Sequence, residues 1–292
     1  MRNLKKASIL FIFMSAFLNA QEQPADEIAA AAANATNPLA FVTKLQVQPN
    51  HTWKDNDASQ INITSRIVQP TGSLGLPFIK SKDPSKIYTI YRLEVPVISQ
   101  TFPGSPQLDA TGISDVVLLD VVAFKQKWGL LGVGTGLIMP TASPKILGTG
   151  KWSSGISGVV LNTKTKGLQY GVLFQQYWSF AGDADRQDIN FMLFQPILNK
   201  VIAKGVVLAF SPIMNFDWKN DDFTIPLSLG ITKVFAKNLS MSLTPEYVVS
   251  GPTKGDFTVR ILEITKAPGI NRANIDTCRG RFRINPRNQA VF

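Results

Sequence analysis

The sequence contains one cysteine, Cys278, and one histidine, His51. A single cysteine cannot form an internal disulfide bond, and one cysteine with one histidine cannot supply the ligands of a usual zinc site. These counts exclude a disulfide-stapled domain, and we expect neither a metal ion nor another cofactor.

Long apolar runs are also missing. The run at residues 9–18 follows Arg2, Lys5 and Lys6 and is too short to span a bilayer, so residues 1–20 are interpreted as a signal peptide cleaved after Ala20. The remaining chain contains no run of about eighteen apolar residues, so no transmembrane helix is expected. In a membrane this chain could only form a barrel.

Net charge is small in the body of the chain, although the formal net charge of the whole sequence is +10. The signal peptide holds three of these charges and the arginine-rich tail at 267–292 holds a net four, which leaves +3 for residues 21–266. No basic cluster of the kind that binds a duplex is present in this body, so nucleic acid is not an expected partner.

The chain is rich in alternating strands. In the segment 167–199, Tyr170, Val172 and Phe174 share one face of an extended run and Gln169 and Gln175 share the other. A short acidic loop joins this run to a second one, which predicts a β-hairpin with strands longer than those of most soluble sheets. Similar patterns predict about twelve strands, at 41–50, 60–70, 86–98, 112–124, 128–139, 151–163, 167–180, 187–198, 204–217, 223–234, 239–249 and 255–266. The predicted fold is all-β, an antiparallel transmembrane β-barrel of about twelve strands over residues 41–266.

Turn lengths support this interpretation, because outer-membrane barrels have short periplasmic turns and longer external loops. Lysine-rich short turns are predicted at 125–127, 164–166, 199–203 and 235–238, whereas 71–85 is too long for the same side and holds either a missed strand or an elaborated turn. The strand at 223–231 contains Pro226, which predicts a bulge or bend.

The two ends of the mature chain fall outside the predicted barrel. Residues 21–40 form an alanine-rich leader on the periplasmic side, which is either flexible or a helix that plugs the barrel. Residues 267–292 form a basic, disordered tail in place of the usual last strand, through either an extension or a shifted reading frame.

Three motifs with possible chemistry are weak. The glycines at 132, 134 and 136 lack the third glycine and the helix of a dinucleotide loop, and as strand residues they predict a thin inward wall. Residues 148–152 fail as a phosphate loop, because Trp152 occupies the position of the metal-binding hydroxyl. The acidic segment 183–188 lacks the glycine of a calcium-binding hand and is interpreted as a solvated loop with Arg186 paired to an aspartate.

With the apolar phase placed outward, polar and charged side chains point into the lumen. The predicted lumen residues are Arg66, Arg92, Glu94, Gln169, Gln175, Glu246 and Arg260. Interfacial aromatic girdles are predicted from Trp128, Trp152, Tyr177, Trp178, Phe180, Phe216 and Trp218. The predicted external-loop residues are Lys151, Trp152, Asp183, Asp185 and Arg186.

Several strings also resemble one bacterial outer-membrane family, which is named for the phenol MetA-degradation pathway. The strings are Asn37-Pro38, residues 147–153, residues 178–183 with Asp185-Arg186 and 188–190, and residues 195–199. The resemblance covers residues 37–262. It implies a signal-bearing outer-membrane β-barrel with a role in passage of small, aromatic or apolar compounds, and it implies no catalytic residues.

The sequence therefore favours a non-enzymatic outer-membrane channel, with membrane lipid and lipopolysaccharide as partners and an unidentified small solute. One alternative is a closed structural or adhesive barrel that displays the loops 140–150 and 181–188. A lipolytic barrel enzyme that uses His51, placed in the first external loop, is the third hypothesis.

Overall fold

The computed structural model describes residues 25–54 and 57–266. A helix, α1 (Ala25–Ala35), precedes the strands. The strands are β1 (Lys44–Trp53), β2 (Ser59–Thr71), β3 (Ser73–Leu74), β4 (Leu76–Lys80), β5 (Ile87–Thr101), β6 (Ala110–Ile113), β7 (Val116–Lys125), β8 (Gly129–Met139), β9 (Lys151–Asn162), β10 (Leu168–Gly182), β11 (Asn190–Ala203), β12 (Val206–Phe210), β13 (Met214–Asp217), β14 (Asp222–Ser228), β15 (Gly230–Ala236), β16 (Leu239–Ser250) and β17 (Phe257–Lys266). Short 3₁₀ turns occur at Pro106–Leu108 and Lys145–Leu147.

All strands except β3 and β4 form one antiparallel sheet, in which β1 pairs with both β2 and β17 and so closes a barrel. The pairs β6–β7, β12–β13 and β14–β15 each form one interrupted strand, which gives a closed 12-strand barrel. This architecture confirms the predicted fold class. The pairing of β14 with β16 shifts register between Ile225 and Pro226, the irregularity predicted from the proline.

The strand connections divide the barrel into two ends. We call the end with the connections at 126–128, 163–167, 204–205 and 237–238 the short-turn end, and the opposite end, with the loops at 140–150 and 183–189, the long-loop end. The turn predicted at 199–203 was wrong, because β11 continues to Ala203 and only Lys204 and Gly205 connect it to β12. A positive φ of 67° at Gly205 explains how so short a connection reverses the chain.

Two side-chain sets alternate along the strands. One set faces the interior, and the other forms an apolar outer surface that includes Leu45, Ile63, Ile67, Val133, Ile156, Val160, Phe174 and Leu198, all more than a third exposed. Large exposed apolar side chains on every side of a closed barrel fit a lipid-facing wall, since a water-exposed wall would alternate with polar groups. No helix in residues 25–54 and 57–266 is long and apolar enough to cross a membrane.

Aromatic side chains lie at both edges of this outer surface. Trp128 lies at the short-turn end, and Trp152, Trp178, Phe180 and Trp218 lie at the long-loop end, with Phe216 stacked on Trp218 at a ring-centroid distance of 5.7 Å. Tyr177 does not belong to this set. It is 3% exposed and faces the interior, because it shares the phase of Gln175 on β10.

The segment 71–85, too long by the turn rule, is an elaborated turn. It contains the small β3–β4 sheet, which is separate from the barrel sheet. The predicted signal peptide (1–20) and the basic tail (267–292), with Cys278, lie outside the described residues.

Candidate transport lumen

The barrel interior holds a cavity of about 260 Å³. Its walls come from both the barrel and the segment after α1. The lining includes Ala35 to Leu39, Lys44, Gln46, Gln48, Arg66, Arg92, Leu119, Val121, Val159, Leu173, Gln175, Gln195, Ile197, Asn199 and Arg260. The lining is therefore mixed, with charged side chains on one side and apolar side chains on the other.

The charged side of the lumen centres on Glu94. Because Arg66 and Glu94 are paired positions on β2 and β5, their side chains project inward at the same level. Arg66 Nε lies 2.9 Å from Glu94 Oε2, and Arg92 Nε lies 2.7 Å from Glu94 Oε1. Arg66 also donates from Nη1 to Gln48 Oε1 at 2.6 Å. One carboxylate thus neutralises part of the charge of two guanidinium groups.

A second ion pair lies on the next strands around the barrel. Arg260 Nη2 donates to Glu246 Oε2 at 2.9 Å, and both side chains are mostly buried. Together with Lys44, the lumen places four basic groups against two carboxylates, an excess of two positive charges. Such charges are costly inside a barrel unless they are paired or hydrated, so this side favours a wet lumen with a positive potential.

The opposite side of the lumen combines small and apolar residues with the uncharged polar side chains of Ser157, Gln175 and Gln195. Gly132, Gly134 and Gly136 on β8 share the inward phase of Ile138 and make a thin wall. A Cβ atom at Gly132 would lie 3.1 Å from Leu39, and one at Gly136 would meet the ring of Tyr177. The close approach predicted from these glycines is therefore made by the N-terminal segment and by an inward tyrosine.

The N-terminal segment occupies the short-turn end of the lumen, with spaces of about 320 and 280 Å³ beside its helix, and we call residues 25–40 the plug. Ile28 and Ala32 on α1 pack against the inward side chains of Val207 and Val234. Leu39 is 2% exposed and packs in the cluster that contains Ile90, Val159 and other inward residues. For the described part of the predicted leader, residues 25–40, the structure contains a helix that lies inside the barrel.

Barrel side chains bind the main-chain carbonyls at the end of α1. Lys44 Nζ donates to the carbonyls of Asn34 and Asn37 at 2.7 and 3.0 Å, and Gln169 Nε2 donates to Ala33 O at 3.0 Å. The last carbonyls of a helix have no partner within the helix, and a cation near them also interacts favourably with the helix dipole. Lys44 and Gln169 therefore cap the plug helix from the barrel wall.

Two further side chains hold the plug beyond the helix. The Tyr88 hydroxyl donates to Leu39 O at 2.6 Å, and Asn199 Nδ2 donates to Thr36 O at 3.4 Å. The sequence reasoning missed Lys44, Tyr88 and Asn199. The inward phase of a lysine at the start of β1 was the available signal, but its role depends on the plug, whose carbonyls at Asn34 and Asn37 it binds inside the barrel.

The seven predicted lumen residues occupy different positions along this interior. Arg66, Arg92, Gln175 and Arg260 line the cavity, and Glu94 and Glu246 pair with these arginines. Gln169 lies closer to the short-turn end, where it contacts the plug helix.

Hydrogen bonds connect the loops 140–150 and 183–189 at the long-loop end. Arg186 donates to the carbonyls of Lys145, Gly148 and Thr149, so its predicted pairing with an aspartate is replaced by main-chain contacts. The main-chain N–H of Asp185 donates to Asp183 at 3.1 Å and, with nearby Lys145, lowers the pKa of the Asp183 carboxyl.

Lys151 and Trp152, predicted in an external loop, are the first residues of β9. Trp152 is exposed on the outer surface, whereas Lys151 is buried with the inward phase of Ser153 and Ser157. Lys151 Nζ lies 3.1 Å from Asp188 Oδ1 and lowers the pKa of that carboxyl. This ion pair connects the loop 183–189 to the start of β9 at the long-loop end of the barrel.

The structure also bears on His51, the residue proposed for a lipolytic enzyme, and on metal binding. His51 belongs to β1 rather than to an external loop, and its ring stacks on Trp53 on the outer surface at 4.0 Å. Among the described residues, no group of three or more His, Cys, Asp or Glu side chains is arranged to hold a metal ion.

Comparison with known proteins identifies similar folds. No protein-family model and no curated protein matches the sequence. A crystal structure of an outer membrane channel from Pseudomonas putida F1 is similar with a TM-score of 0.63 at 12% identity, covering 84% of this chain and 99% of that one. The NanC porin is similar with a TM-score of 0.52 at 9% identity, covering 77% of this chain and 100% of the porin. These likenesses are likenesses of fold: this chain shares a closed antiparallel β-barrel with an outer membrane channel and a porin, and its apolar outer surface fits a barrel that lies in a membrane.

Proposed function

We propose that the protein is a channel for the passage of small molecules across the outer membrane. The observation that carries this proposal is the interior cavity, with ion-paired arginines on one side and the plug at one end. A twelve-stranded barrel is wider than the eight-stranded barrels whose interiors side chains can fill, so its free interior supports a passage.

The two sides of the lumen favour a particular solute class. Arg66, Arg92 and Arg260 present guanidinium groups, whereas Leu119, Val121 and Leu173 present apolar surface. A solute with a small apolar or aromatic body and an anionic group matches both sides. The resemblance to the phenol MetA-degradation family supports an aromatic body, and membership of that family is part of this proposal.

Ion selectivity in planar bilayers tests the role of the basic side. The Arg92→Gln variant removes one of the two excess positive charges, so we expect its ratio of anion to cation permeability to fall. Lys254→Gln is the matched control, because Lys254 is exposed in the loop 251–256 outside the lumen and its loss should leave the ratio unchanged.

Heat-modifiable migration on a detergent gel checks that both variants fold. Equal selectivity of Arg92→Gln and the unsubstituted protein would exclude the arginines from the passage. Absence of both conductance and solute flux, also without the plug, would exclude the channel.

A second function is favoured by the plug itself. Since residues 25–40 fill one end of the lumen, a permanently closed barrel that displays the joined loops 140–150 and 183–189 is the alternative. Cell binding that depends on these loops, with no flux through the barrel, would support it.

A further inference from the structure

The small β3–β4 sheet lies on the outer wall of the barrel, and we call residues 73–80 the wall hairpin. On β5, Ile90 and Arg92 line the cavity, so Thr89 and Tyr91 project outward. The wall hairpin contacts these two outward side chains. It therefore covers the lipid side of the barrel near the short-turn end.

Hydrogen bonds fix the hairpin to this wall. Gly75 N donates to Thr89 Oγ1 at 2.8 Å, and the Thr89 hydroxyl donates to Ser73 O at 2.8 Å. The Tyr91 hydroxyl donates to Gly75 O at 2.6 Å. Thr89 and Ser73 are at most 3% exposed, so polar groups that would be costly against lipid are paired beneath the hairpin.

The hairpin presents apolar side chains in place of the polar wall. Leu76 is 51% exposed, Phe78 is 76% exposed and Ile79 is 43% exposed. Phe78 is more exposed than Val133 on the lipid-facing surface, which is 56% exposed. Because the hairpin lies directly on that surface, its apolar side chains extend the lipid-facing surface at the short-turn end.

Lysines surround this apolar face. Lys80 is the last residue of the hairpin, Lys82 and Lys86 follow it, and all three are exposed; the segment 80–86 contains one acidic residue, Asp83. Lys86 lies 3.3 Å from Asp83, and the hydroxyl of Ser85 donates to the same carboxylate.

The neighbouring turn adds two more exposed lysines, Lys125 and Lys127, and the exposed Trp128. Lys125 N donates to Lys86 O at 2.7 Å, which holds the two basic segments side by side. Apolar side chains bordered by lysines, with a tryptophan at the same level, are typical of elements that lie in a membrane interface and attract anionic lipids.

We propose that the wall hairpin is a docking surface for anionic phospholipid in the membrane leaflet at the short-turn end. Leu76 and Phe78, which share one face of β4, lie among the acyl chains, and the surrounding lysines bind the lipid phosphates. The surface lies outside the lumen, so this site is independent of the proposed passage.

Spin labelling tests this placement. A nitroxide is attached to Phe78→Cys in a Cys278→Ser background, with Val133→Cys as the lipid-facing control and Lys254→Cys as the water-exposed control. The protein is reconstituted in phosphatidylcholine vesicles with or without phosphatidylglycerol, and accessibility to oxygen and to a water-soluble nickel complex is measured. We expect the label at position 78 to match position 133, and its oxygen accessibility to rise with phosphatidylglycerol.

A second variant separates apolar insertion from lipid selection. Replacing all five surrounding lysines, Lys80, Lys82, Lys86, Lys125 and Lys127, with glutamine should abolish the response to phosphatidylglycerol while heat-modifiable migration is unchanged. Access to the nickel complex equal to that of position 254 would overturn the proposal. Protection from both reagents with spin–spin broadening would assign the surface to a second copy of the chain, and an unchanged response in the lysine variant would exclude the headgroup contacts.

Discussion

The two ends of the barrel are closed by different kinds of contact. At the short-turn end, the plug buries Ile28, Ala32 and Leu39 against inward strand residues. At the long-loop end, exposed loops are joined by polar contacts, with Arg186 bound to main-chain carbonyls and Lys151 paired with Asp188. The first closure buries apolar side chains and leaves two spaces of about 320 and 280 Å³ beside α1, whereas the second consists of polar contacts between exposed loops.

This difference indicates which end can open. The plug precedes β1 and pairs with no strand of the barrel sheet, so its departure breaks side-chain contacts but no strand pairing. The long loops connect strands, and their movement is limited by the barrel at both of their ends. We infer that movement of the plug widens the short-turn end, whereas the loops at the long-loop end stay attached to the strands that they connect.

The largest expected effect comes from removing the plug. Deletion of residues 25–40 should raise the single-channel conductance several-fold, because the short-turn end loses the helix and Leu39 that fill it. Single-channel recording in planar bilayers measures this change, and heat-modifiable migration confirms that the barrel still closes.

Two substitutions in α1 test whether weakening the plug, instead of deleting it, has a smaller effect of the same kind. Ile28→Ser removes a buried side chain next to Val207 and Val234, and core truncations of this kind cost about 2–5 kcal/mol. It should increase the fraction of time spent in the open state, whereas Ala29→Ser, at an exposed position of the same helix, should not. Equal conductance in the deletion variant and the full chain would remove the plug from the gating of the channel.

An intermediate effect is expected at the long-loop end. Arg186→Gln removes the guanidinium donors to the carbonyls of Lys145, Gly148 and Thr149, so the loop 140–150 should be cleaved faster by trypsin at Lys145. Hydrogen bonds from charged groups contribute about 1.5–3 kcal/mol each where they are buried, and partial exposure of Arg186 reduces this to about 1–3 kcal/mol in all.

The neighbouring position provides the control for this prediction. Asp185→Asn keeps the main-chain N–H that binds Asp183, so cleavage at Lys145 should proceed as in the unsubstituted protein. An unchanged cleavage rate in Arg186→Gln would show that the two loops are held by other contacts.

The sequence predicts the strands and the inward phase well, because a period of two fixes the face of each side chain once one face is apolar. Arg66 and Glu94 could be placed in the lumen on this basis. Tyr177 was assigned to an outer girdle from its position near a strand end, although it has the phase of Gln175. The alternation of β10 would have placed Tyr177 inside the barrel, whereas its aromatic side chain suggested a girdle.

The plug was harder to predict. Its helix is mostly alanine, a composition compatible with a free leader as well as with a tightly packed helix. The contacts that decide between them, such as Lys44 to Asn34 and Gln169 to Ala33, join residues whose proximity depends on closure of the barrel. The wall hairpin and its contact with Thr89 were also not predicted, because a turn that folds back on the outer wall has no periodic sequence pattern.

The smallest expected effect is a pH dependence of the long-loop end. The contact with Lys151 holds the pKa of Asp188 below its ordinary value, so the ion pair stabilises the folded loop above the unfolded carboxyl pKa and is lost as the pH falls through the lowered folded pKa. Hydrogen exchange of the loop 183–189 should therefore be constant near neutral pH, after correction for intrinsic exchange, and accelerate only below the usual carboxyl range.

Asp188→Asn should remove this acid-dependent step, whereas Asp185→Asn should retain it. Because Asp188 is exposed, water and salt screen the pair, and the step should shrink as salt is added. A step that persists in Asp188→Asn would assign the acid sensitivity to Asp183, whose pKa is also lowered, and not to the contact between loop and mouth.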